Sequence, residues 1–176
     1  MSKFKMLTAS EEEKLRESLK FCSPRDRLIV KILLDYGPRG AELREILRSD
    51  IDLEAQTITI GGKKGSESRQ FPILPALLEE LEAYVRSLDI APHEPIFELS
   101  ASGLKKVWYR VRPCLKGVHS LRHTFAVNLY RRTRDIRMVQ VCLGHRSIQN
   151  TLVYAQFVDS TERIREIFLP GESHVS

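Results

Sequence analysis

Between Ile51 and Ile73 the side-chain pattern leaves the helical period that governs both flanks of the chain. Thr57-Ile58-Thr59-Ile60 is β-branched throughout, and Gln70-Phe71-Pro72-Ile73 resumes strand character after a turn rich in Gly, Lys and Ser. This reads as a hairpin, with Ile51 to Leu53 available as a third strand. The expected fold class is α+β, mainly α-helical, with a small antiparallel three-stranded sheet or hairpin near residues 50–73.

The flanks supply the helices. Thr8 and Ser10 are each followed three residues later by glutamate, Glu11 and Glu13, the capping-box arrangement that opens a helix at about 10–20. Pro24 suits a first helical turn, and Leu28, Ile29, Ile32 and Leu33 follow at helical spacing, so a second helix runs to about Asp35, where Gly37-Pro38 breaks it. A short helix over about 40–48 carries Leu43, Ile46 and Leu47 on one face. Beyond Pro75 helices are predicted at about 75–87, 101–112, 119–131, 135–143, 147–157 and 160–168. Gly144 suits a C′ position and Ser147 an N-cap. With 176 residues, 42% of them hydrophobic, the chain can bury one sizeable core, and a single domain over 1–176 is expected. The last residues, 171–176, are expected to fray.

No apolar run approaches a membrane span, and Met1 to Lys5 lack the apolar stretch of a secretory signal, so a cytoplasmic protein with no membrane partner is expected. Cys22, Cys114 and Cys142 are scattered and lack metal-type spacing, which suggests neither a disulfide framework nor a zinc site. The net charge of +5 is unevenly placed. Residues 1–100 carry 15 basic against 18 acidic side chains, whereas 101–176 carry 13 against 5. Within 101–158 the only acid is Asp135, among Lys105, Lys106, Arg110, Arg112, Lys116, Arg122, Arg131, Arg132, Arg134, Arg137 and Arg146. Solvated helical faces normally interleave both signs; this stretch points to a polyanion-binding surface.

Candidate reactive groups lie in and before that stretch. His119 and Arg122 open a helix three residues apart, on one face, where they could hold one phosphate: arginine by bidentate hydrogen bonds, histidine by exchanging a proton near neutrality. His123 is about 100° away and is expected to be packed or exposed. His145 falls in the turn after Gly144, and Tyr154 two turns into the next helix, able to come back toward His145. A tyrosine hydroxyl, with a pKa near 10, needs its anion stabilised before it can act as a nucleophile, and several fixed cations around one phosphate would do that. Arg39 follows Gly37-Pro38 at a helix entrance, with Glu42 placed to orient it, and Lys63 and Lys64 sit in the hairpin turn.

Taken together, these pieces resemble the tyrosine recombinase or phage integrase family over nearly the whole chain. Gly37-Pro38-Arg39-Gly40-Ala41-Glu42-Leu43 looks like the family's Gly-Leu-Arg-x-x-Glu-Leu box. Lys64 to Pro72 reproduces the spacing of its Lys-Gly-x-x-x-Arg-x-x-Pro hairpin, His119 to His123 its His-x-Leu-Arg-His box, and Leu143 to Tyr154 its Leu-Gly-His-x-Ser-x-x-x-Thr-x-x-Tyr run without a gap. The sequence departs from the pattern at Pro38 and Gly40, which flank the arginine, and near Thr133-Arg134, where the usual interhelical glycine is replaced. Adjacent Lys63 competes with Lys64 for the lysine position, though the spacing to Arg69 and Pro72 favours Lys64.

The resemblance implies a catalytic domain, without the family's N-terminal core-binding domain, that cleaves and rejoins double-stranded DNA through a 3′-phosphotyrosyl intermediate, with no metal, ATP or other cofactor. Tyr154 would be the nucleophile. Arg39 and Arg122 would bind the nonbridging oxygens, His119 would take up or deliver the tyrosyl proton, Lys64 would protonate the leaving 5′-oxygen, and His145 would hydrogen-bond the phosphate. Glu42 would support Arg39. Lys63, Lys105, Lys106, Arg110, Arg112, Arg131 and Arg146 would grip the DNA backbone, placing the protein on the nucleoid. The Asp159 and Glu162 capping pattern, followed by Ile164, Ile167 and Phe168, suggests a last helix that packs on its own core or, as in the family's tetrameric assemblies on DNA, on a neighbouring protomer. The alternatives are a noncatalytic DNA-binding protein, which leaves the coincident reactive residues unexplained, and a type IB topoisomerase-like enzyme, whose pattern His119 and His145 fit less well.

Overall fold

The computed structural model describes residues 6–62 and 66–169. Helix α1 (Ala9–Leu19) starts at Thr8, which exchanges hydrogen bonds with Glu11, so Thr8 and not Ser10 is the cap. Helix α2 (Pro24–Tyr36) is capped by Ser23 and ends at Gly37 in the left-handed region, φ +62°. A Cβ on Gly37 would lie 2.4 Å from the Phe125 ring, so glycine serves both the turn and a close helix crossing.

The predicted helix over 40–48 is cut to α3 (Gly40–Leu43) and a 3-10 turn at Arg48–Asp50. The chain leaves the helix because its backbone finds a partner elsewhere: Ile96 N donates to Ile46 O at 2.9 Å, and Arg48 N to Glu94 O at 2.9 Å. Three antiparallel strands follow in the order β1 (Ile51–Asp52), β2 (Thr57–Ile60) and β3 (Arg69–Pro72), with Ile58 opposite both Ile51 and Phe71. Strand β3 begins one residue before the predicted Gln70, because Arg69 still pairs with Ile60. Ile58 and Ile60 are fully buried, so the alternation of β2 turns its isoleucines onto the helices.

Five helices complete the domain: α4 (Pro75–Arg86), α5 (Ala101–Val111), α6 (His119–Thr133), α7 (Ile136–Leu143) and α8 (Gln149–Phe168). The two last helices expected from sequence are one. Asp159 and Glu162 do not cap a new helix; Asp159 accepts from Tyr130 at 3.1 Å and Arg134 at 3.2 Å, and Glu162 pairs with Arg134. With the carboxylates held sideways against α6, nothing interrupts the backbone ladder. Ser147 Oγ accepts from Gln149 N at 3.3 Å, one residue before the cap position proper. Where the usual interhelical glycine is missing, Arg134 itself takes the left-handed conformation, φ 53°.

The apolar side chains form two clusters. The larger joins α1, α2, the sheet, α4 and α5 around Ile32, Phe97 and Trp108; the smaller joins α6, α7 and α8 through Phe125, Val127, Val139, Leu143 and Val158. Helix α6 is the shared wall, with Leu121 in the first cluster and Phe125 to Tyr130 in the second. Among the described residues no helix is long and apolar enough to cross a membrane.

Candidate active site

The two clusters meet at the N-terminal turns of α6, and the polar side chains collect there. Arg122 is buried on α6 and donates from Nη1 to Gly37 O at 2.6 Å and from Nη2 to Leu143 O at 2.8 Å, tying the end of α2 to the end of α7. Its Nη2 also lies 3.0 Å from His145 Nε2. A guanidinium can only donate, so Nε2 is the acceptor and Nδ1 carries the ring proton toward Thr151 Oγ1, 3.0 Å away. Burial, reinforced by Arg122, Arg39 and Arg69, lowers the His145 pKa to about 4, which keeps that neutral tautomer at pH 7.

Glu42 is the counter-charge of the cluster. Its carboxylate accepts from Arg39 N at 2.7 Å, Arg39 Nη1 at 3.2 Å, Arg69 Nη1 at 3.2 Å and Arg69 Nη2 at 2.8 Å, and lies 3.7 Å from Arg122 Nη1. Burial alone would raise its pKa; hydrogen bonds from Arg69, the Arg39 backbone and Ser66 outweigh it and hold the group at about 2. Arg69 also donates from Nε to Cys142 O at 3.0 Å and from Nη1 to Ser66 Oγ and Glu67 O, so one side chain bolts the hairpin to α3 and α7. The return arm of the hairpin is held again where Glu67 N donates to Gly144 O at 3.0 Å and Ser66 bridges His145. A Cβ on Gly144 would lie 2.7 Å from Glu67 O, so this approach requires the glycine.

Tyr154 is buried, yet its hydroxyl lies 3.1 Å from His123 Nδ1. Burial raises its pKa above 10, while Arg122 and Arg39 pull it back. His123, expected to be packed or exposed, is packed, and its partner is Tyr154: α8 crosses α6 on the side where His123 points, which helical period alone does not disclose. His119 is exposed and packs T-shaped on His123, with centroids 4.7 Å apart and planes at 85°. Burial within the cluster, then Arg122 and Arg39, lowers its pKa.

The structure thus gathers Arg39, Glu42, His119, Arg122, His145 and Tyr154, and adds His123, Arg69 and Thr151. All three stood inside the sequence motifs, His123 as the last residue of the His-x-Leu-Arg-His box; only the fold shows what they touch. Lys63 and Lys64 lie outside the described residues. Of the remaining basic candidates, Lys105 and Lys106 sit on the exposed face of α5, Arg131 at the exposed end of α6 and Arg146 in the turn after Gly144. Arg110 pairs with Asp26, and the Arg112 guanidinium lies 4.3 Å above the Tyr109 ring.

Comparison with known proteins places this arrangement. The model of the phage integrase family matches residues 5–160. A tyrosine recombinase XerA of Thermococcus onnurineus (strain NA1) is 33% identical over 168 residues, covering 86% of this chain and 58% of its own length. Among solved structures, a XerA recombinase superposes with TM-score 0.73 at 26% identity, covering 98% of this chain and 66% of the other. A XerH site-specific recombinase bound to palindromic difH substrate, a post-cleavage complex, gives 0.74 at 26% identity over 96% of this chain and 53% of the other. The chain therefore spans little more than half the length of the curated relative and about two thirds or less of these structural ones.

Proposed function

Because the chain belongs to the phage integrase family of tyrosine recombinases, we propose that it cleaves and rejoins double-stranded DNA, with Tyr154 as nucleophile. The observation that carries the reading is the Tyr154 hydroxyl set among Arg122, His123 and Arg39 at the junction of the two cores. A phosphodiester enters on the side of Arg39 and His119, the groups of this cluster that reach solvent. Tyr154 Oη attacks phosphorus, the P–O5′ bond breaks, and a 3′-phosphotyrosyl bond holds the strand until another 5′-hydroxyl reverses the step. One phosphoester replaces another, so the exchange needs no external energy source.

Each side chain has a part. Arg39, fixed by Glu42, and Arg122 stabilise the charge that gathers on the nonbridging oxygens; such fixed donors contribute about 3–4 kcal/mol each in comparable sites. His145, holding its Nδ1 proton toward Thr151 and accepting from Arg122 through Nε2, fixes that guanidinium beside the phosphate. Lys64 supplies the proton to the leaving 5′-oxygen. The His119–His123 pair manages the tyrosyl proton. Lys105, Lys106, Arg131 and Arg146, with Lys63, grip the phosphate backbone, so binding weakens with salt. Exposed Ile164, Ile167, Phe168 and Leu169 at the end of α8 support docking on a second copy on DNA. The protein then works on the nucleoid, in the cytoplasm.

Incubation with a nicked duplex, followed by denaturation, tests the reading. Wild type should trap protein on a DNA 3′ end, and Tyr154→Phe should bind DNA without forming the adduct. Strong binding with no wild-type adduct would favour a noncatalytic DNA-binding protein.

A further inference from the structure

Resting on that reading, we propose that His123 Nδ1 is the immediate acceptor of the Tyr154 proton, with exposed His119 standing behind it. The geometry has three parts. The hydroxyl is 3.1 Å from Nδ1, within the reach required of a general base. The two rings are 5.8 Å apart and inclined at 51°, so His123 addresses the oxygen edge-on and does not stack on the phenol. His119, four residues earlier on α6 and exposed, packs T-shaped on His123 with ring centroids 4.7 Å apart, which sets it on the solvent side of the pair.

The surroundings set the direction of transfer. Among the described residues, the charged and titratable groups that face His123 include His119 and Arg122 from its own helix and Tyr154 from α8. Burial first, then His119 and Arg122, lowers its pKa to about 4, so at neutral pH the ring is uncharged and Nδ1 has a lone pair for the phenol. The scissile phosphate brings negative charge to the same side and offsets Arg122, so the base strengthens as substrate arrives. In the forward step the Oη–P bond forms, the P–O5′ bond breaks, the Oη proton passes to His123 Nδ1, and the 5′-oxygen takes its proton from the acid on the opposite side. Rejoining returns the proton from His123 to Tyr154 as the phosphotyrosyl bond breaks.

The experiment measures the rate of adduct formation from pH 4.5 to 8 for wild type, His123→Gln, His119→Gln and Tyr154→Phe. An ordinary duplex is compared with one whose leaving 5′-oxygen is replaced by sulfur, which departs without needing a proton. Glutamine can accept the hydroxyl's hydrogen bond but not its proton. His123→Gln should slow adduct formation by about a hundredfold or more on both duplexes, and its rate should lose the acidic limb shown by wild type. In the DNA-free protein, ¹⁵N shifts should place the ring proton of His123 on Nε2 and should move in Tyr154→Phe. If His123→Gln matches wild type while His119→Gln is slow on both duplexes, His119 is the acceptor and the proposal fails. Faster adduct formation in His123→Gln overturns it as well, because the histidine would then restrain the nucleophile. No wild-type adduct on either duplex would sink the recombinase chemistry itself, an outcome distinct from the other two.

Discussion

Replacing Glu42 by glutamine keeps the shape of the side chain and removes the negative charge that Arg39, Arg69 and Arg122 share. Its carboxylate is fully buried and takes hydrogen bonds from Arg39 N and Nη1 and from Arg69 Nη1 and Nη2. The interval between its pKa of about 2 and the ordinary 4.5 corresponds to on the order of 3 kcal/mol of folding stability at pH 7. Stranding a buried partner costs a similar ~3–5 kcal/mol in other proteins. Glu42→Gln should therefore lower stability by about 3 kcal/mol in denaturant titration at pH 7, and Tm by roughly 10 °C for a chain of this size. Because the folded-state pKa is depressed, the contribution is complete above the unfolded value and is lost as pH falls toward the folded one. The deficit of the variant should therefore shrink to roughly half or less at pH 3. Adding Arg69→Met should restore part of the loss, since removing both partners is less costly than stranding one. A deficit below about 1 kcal/mol at pH 7, or one equally large at pH 3, refutes the view that Glu42 neutralises the cation cluster.

Gly37→Ala should cost about 2 kcal/mol or more by chemical denaturation, because φ is +62° and the new Cβ would meet the Phe125 ring at 2.4 Å. At Arg134, glycine should change stability by less than about 1 kcal/mol, relief of the left-handed backbone offsetting two exposed ion pairs, whereas valine should cost more. Thr151→Val removes the partner of His145 Nδ1 and should slow adduct formation by about tenfold, corresponding to one hydrogen bond. Single Lys105, Lys106 or Arg146 to Ala variants should each reduce the salt dependence of DNA binding by about one unit of slope, as read by fluorescence anisotropy.

What the sequence discloses and what it withholds divide along physical lines. Thr8, Pro24, Gly37 and Gly144 act on the backbone next to them, so the starts and stops of α1, α2 and α7 are legible from local chemistry. Ile46 satisfies periodicity for a longer α3, but its carbonyl is taken by Ile96, fifty residues on, and no window around 40–48 contains that partner. Asp159 and Glu162 have the spacing of a cap and are used instead by Arg134, again a decision made by packing. The site follows the same rule. Arg39, Arg122, His145 and Tyr154 announce themselves through motif order, and the fold brings them together. His123 stands in the same box as Arg122, but what it touches is not legible there, because its partner lies on another helix whose crossing is set by the Phe125, Val139 and Val158 contacts. Arg69 is visible as a letter in a pattern, while its work as a bolt requires seeing Glu42 and the end of α7 in space.

The division of the interior into two clusters has a consequence for how the molecule opens. Tyr154, the proposed nucleophile, belongs to the smaller one, with α7 and α8, while Arg39 and Glu42 are attached to the larger. Elements resting on fewer buried apolar contacts open at lower free energy than the global unfolding limit. Amide exchange should therefore release the backbone of α8 before that of α2. On the proposed function, a molecule caught in that state should keep Arg39 available to an anion with no tyrosine in reach, so that holding a strand and cutting it would be separable.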